Sequence, residues 1–312
     1  MSDQQRHGVP MTSTTRRDLL RAGSIGAVAL WLPSGLTGRA VAASRRAGID
    51  PRALTDLRRR LSGTLLLAGD VGYEQSSQPA NTRFQGTRPA AVAQCADEHD
   101  VVLCVRWARE HGVQPVARGG GHSYAGYSTT NGLLIDLSRL NTVRFNPRSG
   151  RAVVGGAATN ANVFYKTVGS RFILPGGTCL AVGTGGLVLG GGIGYNVHWA
   201  GLTCDHLRAS RIVTAAGDVL TIDDSHHSDL FWACRGGAGG SFGINTSFTF
   251  QLAKIPRRDV SFYRFDYRGA DDAAAVLSTF EQVLRAAPDA FNAVASSQAT
   301  PVRRAGARQR GR

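Results

Sequence analysis

An α+β fold is predicted for this chain by three observations. A strand–helix–strand pattern runs from Ala91 to Ala117, two β-hairpins follow over residues 143–157 and 211–222, and the helices between them are short. The first helix is read over 53–61. Ala91–Cys95 is a short apolar strand. Glu98–His111 carries Val101, Val102, Val105 and Ala108 near helical spacing and is stopped by Gly112. Val113–Ala117 is the next strand, and it runs directly into Arg118-Gly119-Gly120-Gly121-His122-Ser123.

Leu133–Leu137 reads as an apolar strand. The first hairpin turns at Asn146-Pro147-Arg148-Ser149-Gly150 and the second at Ala216-Gly217-Asp218. Helices are expected over 162–168 and 229–235, and a strand over 244–252. The composition shifts near Pro256. Ser261–Tyr267 alternates like a strand, and Asp271–Ala287 is amphipathic at helical spacing. One strand and one helix cannot bury a core alone, so residues 256–298 read as the start of an incomplete α+β domain. Residues 299–312 read as a basic, irregular tail. A truncation or frameshift near 298 is the expectation, with a native basic tail as the alternative.

The formal net charge of +14 first suggests nucleic acid or a membrane surface. Its distribution argues against both. Residues 1–50 carry +4 and residues 301–312 carry +5, which leaves +5 for the 250 residues between. No basic helix with interleaved aromatics occurs, so nucleic-acid binding is not expected. The five cysteines, Cys95, Cys104, Cys179, Cys204 and Cys234, contain no CxxC pair, and no metal site is expected.

The N-terminus reads as an address. Thr15-Arg16-Arg17-Asp18-Leu19-Leu20-Arg21 is a twin-arginine pattern, Ala22–Leu32 is apolar, and Ala40-Val41-Ala42 is a small-residue cleavage site. The apolar run falls short of the about 20 residues a membrane span needs. A signal over residues 1–42, a mature chain from near Ala43, passage through the twin-arginine export machinery and a periplasmic or secreted location are expected. That route carries folded proteins, which hints at a cofactor inserted before export.

Three glycine-rich segments, 118–123, 176–194 and 236–243, fall within one domain. Glycine permits positive φ and close backbone approach, and consecutive amides form an anion nest. A nucleotide-like cofactor with a diphosphate is the chemistry such segments suit. No segment has the G-x-G-x-x-G spacing of a dinucleotide-binding Rossmann turn, and no Gly-Lys-Ser/Thr occurs, so nicotinamide and phosphoryl-transfer sites are disfavoured. His122 closes the first run. A loop histidine alone is ordinarily satisfied by hydrogen bonds, but one beside a diphosphate nest is placed against the cofactor's ring system.

PVARGGGHSYAGYS, PGGTCLAVGTGGLVLGGGIGYNVHWAGLTCDHL and DLFWACRGGAGGSFGINTSFTF resemble, in order, three motifs of the berberine-bridge-enzyme-like FAD-linked oxidases. These belong to the vanillyl-alcohol-oxidase, or PCMH, type of FAD-binding fold. The resemblance covers roughly residues 60–255. It implies a two-subdomain PCMH-type FAD-binding domain over 43–255, followed by the substrate domain whose start lies at 256–298. It also implies flavin attachment through His122 to the 8α carbon and, as in bicovalent members, through Cys179 to C6. Cofactor contacts are implied at Arg118, Gly119, Gly120, Gly121, His122, Ser123, Gly177, Thr178, Cys179, Gly183, Gly185, Gly186, Gly190, Gly191, Gly192, Gly194, Gly243 and Ile244. Two attachments would raise the flavin's reduction potential and leave its face open for bulky substrates.

The implied reaction is two-electron oxidation of an alcohol or amine carbon of a sugar or secondary metabolite. Hydride goes to the flavin, and O2 is the acceptor. A dehydrogenase passing electrons to another acceptor and an inactive FAD-binding fragment are the alternatives. The family's catalytic base, commonly a tyrosine of the substrate domain, maps onto no residue here. Tyr195 and His198 follow the second glycine run as candidates to face the flavin, with packing or surface roles as the alternative for each. Cys95, Cys104 and Cys234 read as core thiols, and no role is expected for Cys204.

Overall fold

Helix α1 (Pro51–Arg60) turns Leu54 and Leu57 inward and its basic residues outward. It is tied down where the Trp107 ring N–H donates to the Ala53 carbonyl at 3.2 Å. The computed structural model describes residue 49 and residues 51–237, 239–255, 263–267, 272–289 and 291–296. The expected export segment and basic tail lie outside these residues.

The first subdomain is a four-stranded sheet. Its strands are β1 (Thr64–Leu66), β2 (Ala91–Gln94), β3 (Pro115–Arg118) and β4 (Leu133–Asp136), in the order β1-β2-β4-β3. Helix α2 (Tyr73–Ser77) follows β1, and α3 (Glu98–Glu110) connects β2 to β3. Asp97 caps α3 by accepting from the Asp100 amide at 3.0 Å. The strand–helix–strand reading holds with one change. β2 and β3 do not pair with each other; each pairs in parallel with β4, which inserts between them. Leu133, Leu134 and Ile135 of β4 are completely buried, as are Ala91, Val92 and Ala93 of β2, which fits two interior strands of a sheet covered on both faces.

The second subdomain is an antiparallel sheet of β5 (Val143–Asn146), β6 (Arg151–Gly155), β8 (Leu207–Val213), β9 (Val219–Asp223) and β10 (Ile244–Gln251), ordered β5-β6-β10-β8-β9. Both expected hairpins form it. β10 lies at its centre, and its Phe248 and Phe250 are fully buried against Val154, Leu207 and Ile222. At about 1.5–3 kcal/mol per buried side chain, these rings anchor the layer. Helices α4 (Asn160–Thr167), α5 (Thr184–Leu189), α6 (Val197–Ala200) and α7 (Ser228–Ala233) cover or border the sheet, and the short β7 (Phe172–Ile173) pairs with β11 (Ala253–Lys254).

The two subdomains are joined by Glu98 at the start of α3. It accepts two bonds from Arg211 of β8, at 2.6 and 3.0 Å, and one from the Thr246 hydroxyl of β10 at 2.6 Å. Past β11, the expected strand Ser261–Tyr267 is not found. Residues 263–267 form no strand, and Tyr263, Phe265 and Tyr267 are exposed with no neighbouring strand among the described residues to pair with. Ser261 and Phe262 lie outside the described residues. The expected helix is present as α8 (Ala273–Ala286), with none of its residues buried.

Candidate cofactor site

β3 ends on Arg118, whose side chain is buried. Its guanidinium donates to the carbonyls of Ser128 at 2.8 Å, Ser76 at 2.6 Å, Gln78 at 3.3 Å and Ser77 at 3.0 Å. The last three lie at the C-terminal end of α2, where carbonyls lack helical partners. Burial lowers the Arg118 pKa, and the nearby Asp136 opposes that. Arg118 therefore holds the start of the glycine loop in place through backbone carbonyls.

The loop 119–123 turns at Gly121, whose φ is +75°. The Gly121 carbonyl accepts from the Ala80 amide and the Ser128 hydroxyl, both at 3.2 Å. Among the described residues, the amides of Gly119, Gly120, Gly121, His122 and Ser123 donate to no protein acceptor. Five consecutive free amides in a turn are what an anion such as a diphosphate requires.

The second run folds against the first. Gly120 and Gly183 touch backbone to backbone, so that a Cβ on Gly183 would lie 2.5 Å from the Gly120 nitrogen. Gly183 is the N-cap of α5, and the Thr184 amide donates to Ala158 at 2.7 Å. The Thr184 hydroxyl is fully buried here without a hydrogen-bond partner, a donor or acceptor in need of one. Gly185 packs on the Gly156 carbonyl, while Gly186 faces open space, where a side chain would meet no atom within 4 Å.

Gly190 caps α5, Gly191 (φ +99°) brings the run beside Gly236 of the third segment, Gly192 makes room for Thr203, and Gly194 packs on Gly176. Gly243 approaches the Val213 carbonyl, and Ile244 pairs with Val213, so this end of the third segment serves the β8–β10 sheet. Gly177, Thr178 and Cys179 lie in the loop between β7 and α5.

His122, Thr178 and Cys179 are all exposed. So are Tyr124, Tyr127, Leu180, Ile193 and Tyr195, which lie in or just after the same glycine-rich segments. His198 is exposed on α6. The other four thiols are buried. Burial pushes up the thiols of Cys204 and Cys234, and that of Cys95 is held well above the ordinary value by hydrogen bonding with Cys104 and then by burial. An open concavity of about 530 Å³ between α3 and the β8–β9 turn, lined by Glu98, His99, Arg106 and Asp218 among others, lies apart from the glycine loops.

The residues present fit a flavin dinucleotide. The 119–123 amides are free to donate to a diphosphate, glycines leave room for close approach, and His122 and Cys179 stand exposed on the two loops that meet at Gly120 and Gly183. Sequence reasoning missed Asn160, whose side-chain amide donates to the carbonyls of Gly177 at 3.2 Å and Cys179 at 2.9 Å. It also missed the orphan hydroxyl of Thr184. The Thr159-Asn160-Ala161-Asn162 capping pattern signals the helix start but not what it holds.

Residues 89–223 match the model of a family described as an FAD binding domain. This segment is an FAD-binding domain of the PCMH type. The uncharacterized FAD-linked oxidoreductase YgaK of Bacillus subtilis is 36% identical over 227 residues, which are 71% of this chain and 49% of that protein. The crystal structure of 6-hydroxy-D-nicotine oxidase from Arthrobacter nicotinovorans superposes with a TM-score of 0.60 at 32% identity, over 63% of this chain and 43% of that one. A glucooligosaccharide oxidase from Acremonium strictum, described with a 6-S-cysteinyl, 8α-N1-histidyl FAD, gives 0.60 at 30% identity, over 65% and 43%. The chain spans about half the length, or less, of the curated relatives it matches. Among the described residues, no helix is long and apolar enough to cross a membrane.

Proposed function

We propose that this chain is the flavin-holding part of an FAD-linked oxidase, with FAD bonded to His122 through the 8α carbon and to Cys179 through C6. The observation that carries this reading is the Gly120–Gly183 contact. It brings together the two loops bearing the exposed imidazole and the exposed thiol, beside a row of free amides. The glucooligosaccharide oxidase with both linkages supports the pairing.

When bound, a flavin would supply two-electron redox chemistry here, suited to accepting hydride from an alcohol or amine carbon of a sugar or secondary metabolite with O2 as the final acceptor. The chain's own residues bind and orient. The 119–123 amides would donate hydrogen bonds to the diphosphate, Arg118 fixes their loop, and the exposed Tyr124, Tyr127 and Tyr195 offer stacking surface for a ring-shaped substrate. We also propose export by the twin-arginine route, which rests on residues 15–42 and places the oxidase outside the cytoplasm.

The test is to precipitate the purified chain in acid and ask whether yellow flavin stays with the polypeptide. Wild type, His122→Ala and Cys179→Ala are expected to retain it, and the double variant to release it. Release from wild type would refute the covalent reading. Peroxide formed with oligosaccharides under air checks the acceptor.

A further inference from the structure

We infer that Asn160 is the positioning residue that presents Cys179 to the flavin, an inference that rests on the proposed Cys179 bond. The first residues of a helix carry amides with no partner inside the helix. At the start of α4 these amides do not go to water. The Asn160 amide donates to the Val182 carbonyl and the Ala161 amide to the Leu180 carbonyl, each at 3.0 Å. The Asn160 side chain adds the bonds to Gly177 and Cys179. Four carbonyls of the Cys179 loop are thus gripped by two consecutive residues of α4.

Helix α4 is itself fixed by a capping box. The Thr159 hydroxyl accepts from the Asn162 amide at 3.3 Å, and the Asn162 side chain accepts from the Thr159 amide at 2.8 Å. Gly176 and Gly177 make the grip possible, since a Cβ on either would lie 3.1–3.2 Å from the Asn160 side-chain amide. The Cys179 side chain, by contrast, stays exposed. Its backbone is held while its sulfur is left free to react, the division of labour that a covalent attachment needs.

In the attachment the Cys179 thiol would give up its proton, its sulfur would bond flavin C6, and the C6 hydrogen would leave as a second proton. Two electrons and two protons settle on the flavin, and O2 then takes them as H2O2. Asn160 makes no contact with the reacting atoms. It fixes the carbonyl of the residue whose side chain reacts.

The experiment isolates the cysteine bond in the purified full chain. In the His122→Ala background, acid-stable flavin reports Cys179 alone. Adding Asn160→Ala is expected to slow its accumulation under air about tenfold, as losing two hydrogen bonds would. Asn160→Ala alone is expected to keep acid-stable flavin through His122, which also shows that the variant folds. Sampled early in that accumulation, the peptide bearing Cys179 is expected to carry flavin in a smaller fraction of molecules than the peptide bearing His122. A merely structural role would lower both attachments together, and that result would overturn the inference. Equal Cys179 attachment with and without Asn160 would also overturn it while leaving the proposed function intact. No acid-stable flavin in His122→Ala itself would instead remove the Cys179 bond and the inference with it.

Discussion

Gly120 and Gly183 meet backbone to backbone, and a Cβ on Gly120 would lie only 2.9 Å from the Gly183 Cα. The contact is what sets the loop of His122 beside the loop of Cys179. Neither neighbour is a flexible side chain that can swing away. Gly120→Ala must therefore push the loops apart, and a cost of about 1–3 kcal/mol is expected, typical of overpacking. Flavin content of the purified variant should fall more steeply than its unfolding midpoint. Gly186→Ala is the contrasting case, since the protein leaves its side chain free space. If Gly186 borders bound flavin, that variant keeps its thermal stability and loses flavin. Calorimetry beside absorbance at the flavin bands distinguishes the two.

Arg118 gives four bonds to backbone carbonyls from within the core. Lysine carries the charge but not the planar fork that reaches Ser76, Ser77 and Ser128 at once. Arg118→Lys should cost about 2–4 kcal/mol, because buried carbonyls lose their donors. Urea denaturation measures this, and a loss below about 0.5 kcal/mol, the level of ordinary surface substitutions, would show that the carbonyls find other partners.

Glu98 links the subdomains, and its carboxyl is held below the usual value of 4.5 first by hydrogen bonding to Arg211 and also by the Thr246 hydroxyl. A depressed carboxyl stabilises the fold above its unfolded pKa, and that contribution is lost as pH falls through the lower, folded value. Stability should therefore drop as pH falls below about 4.5, and Glu98→Gln should flatten that part of the profile. Arg211 is half exposed, so the effect at neutral pH is about 0.5–1 kcal/mol. Unfolding midpoints of both proteins between pH 3 and 7 check it.

Much of this fold was legible because its signals are local. The hairpin turns at residues 146–150 and 216–218, the stop at Gly112 and the apolar run 133–137 each follow from neighbouring residues. The insertion of β4 between β2 and β3 was not, because strand order is set by pairing between segments distant in sequence. Tyr263–Tyr267 alternates correctly and is still no strand, since alternation does not supply a partner. At the site, glycine density and the motif resemblance pointed to His122 and Cys179. They did not show that Gly243 serves β8, or that Asn160 grips the Cys179 loop across seventeen to nineteen residues of sequence. Those facts are set by tertiary contact.

The five cysteines allow a test by counting. Cys179 is exposed and the other four are buried, with thiols pushed up by burial at Cys204 and Cys234 and foremost by hydrogen bonding to Cys104 at Cys95. Alkylation needs an accessible thiolate. Flavin-free folded protein treated with iodoacetamide should therefore take its label at Cys179, and unfolding should open all five sites. If the sulfur of Cys179 is bonded to flavin, the flavin-loaded fraction should take no label while folded. It should label only at the four buried cysteines once denatured, with the remaining cysteine peptide carrying the flavin mass. Peptide mass mapping reads every site. Labelling of Cys179 in the flavin-loaded fraction would show a free thiol and reduce the attachment to His122 alone, whereas rapid labelling of Cys204 or Cys234 in folded protein would show that the packing around the second sheet opens more readily than its buried phenylalanines imply.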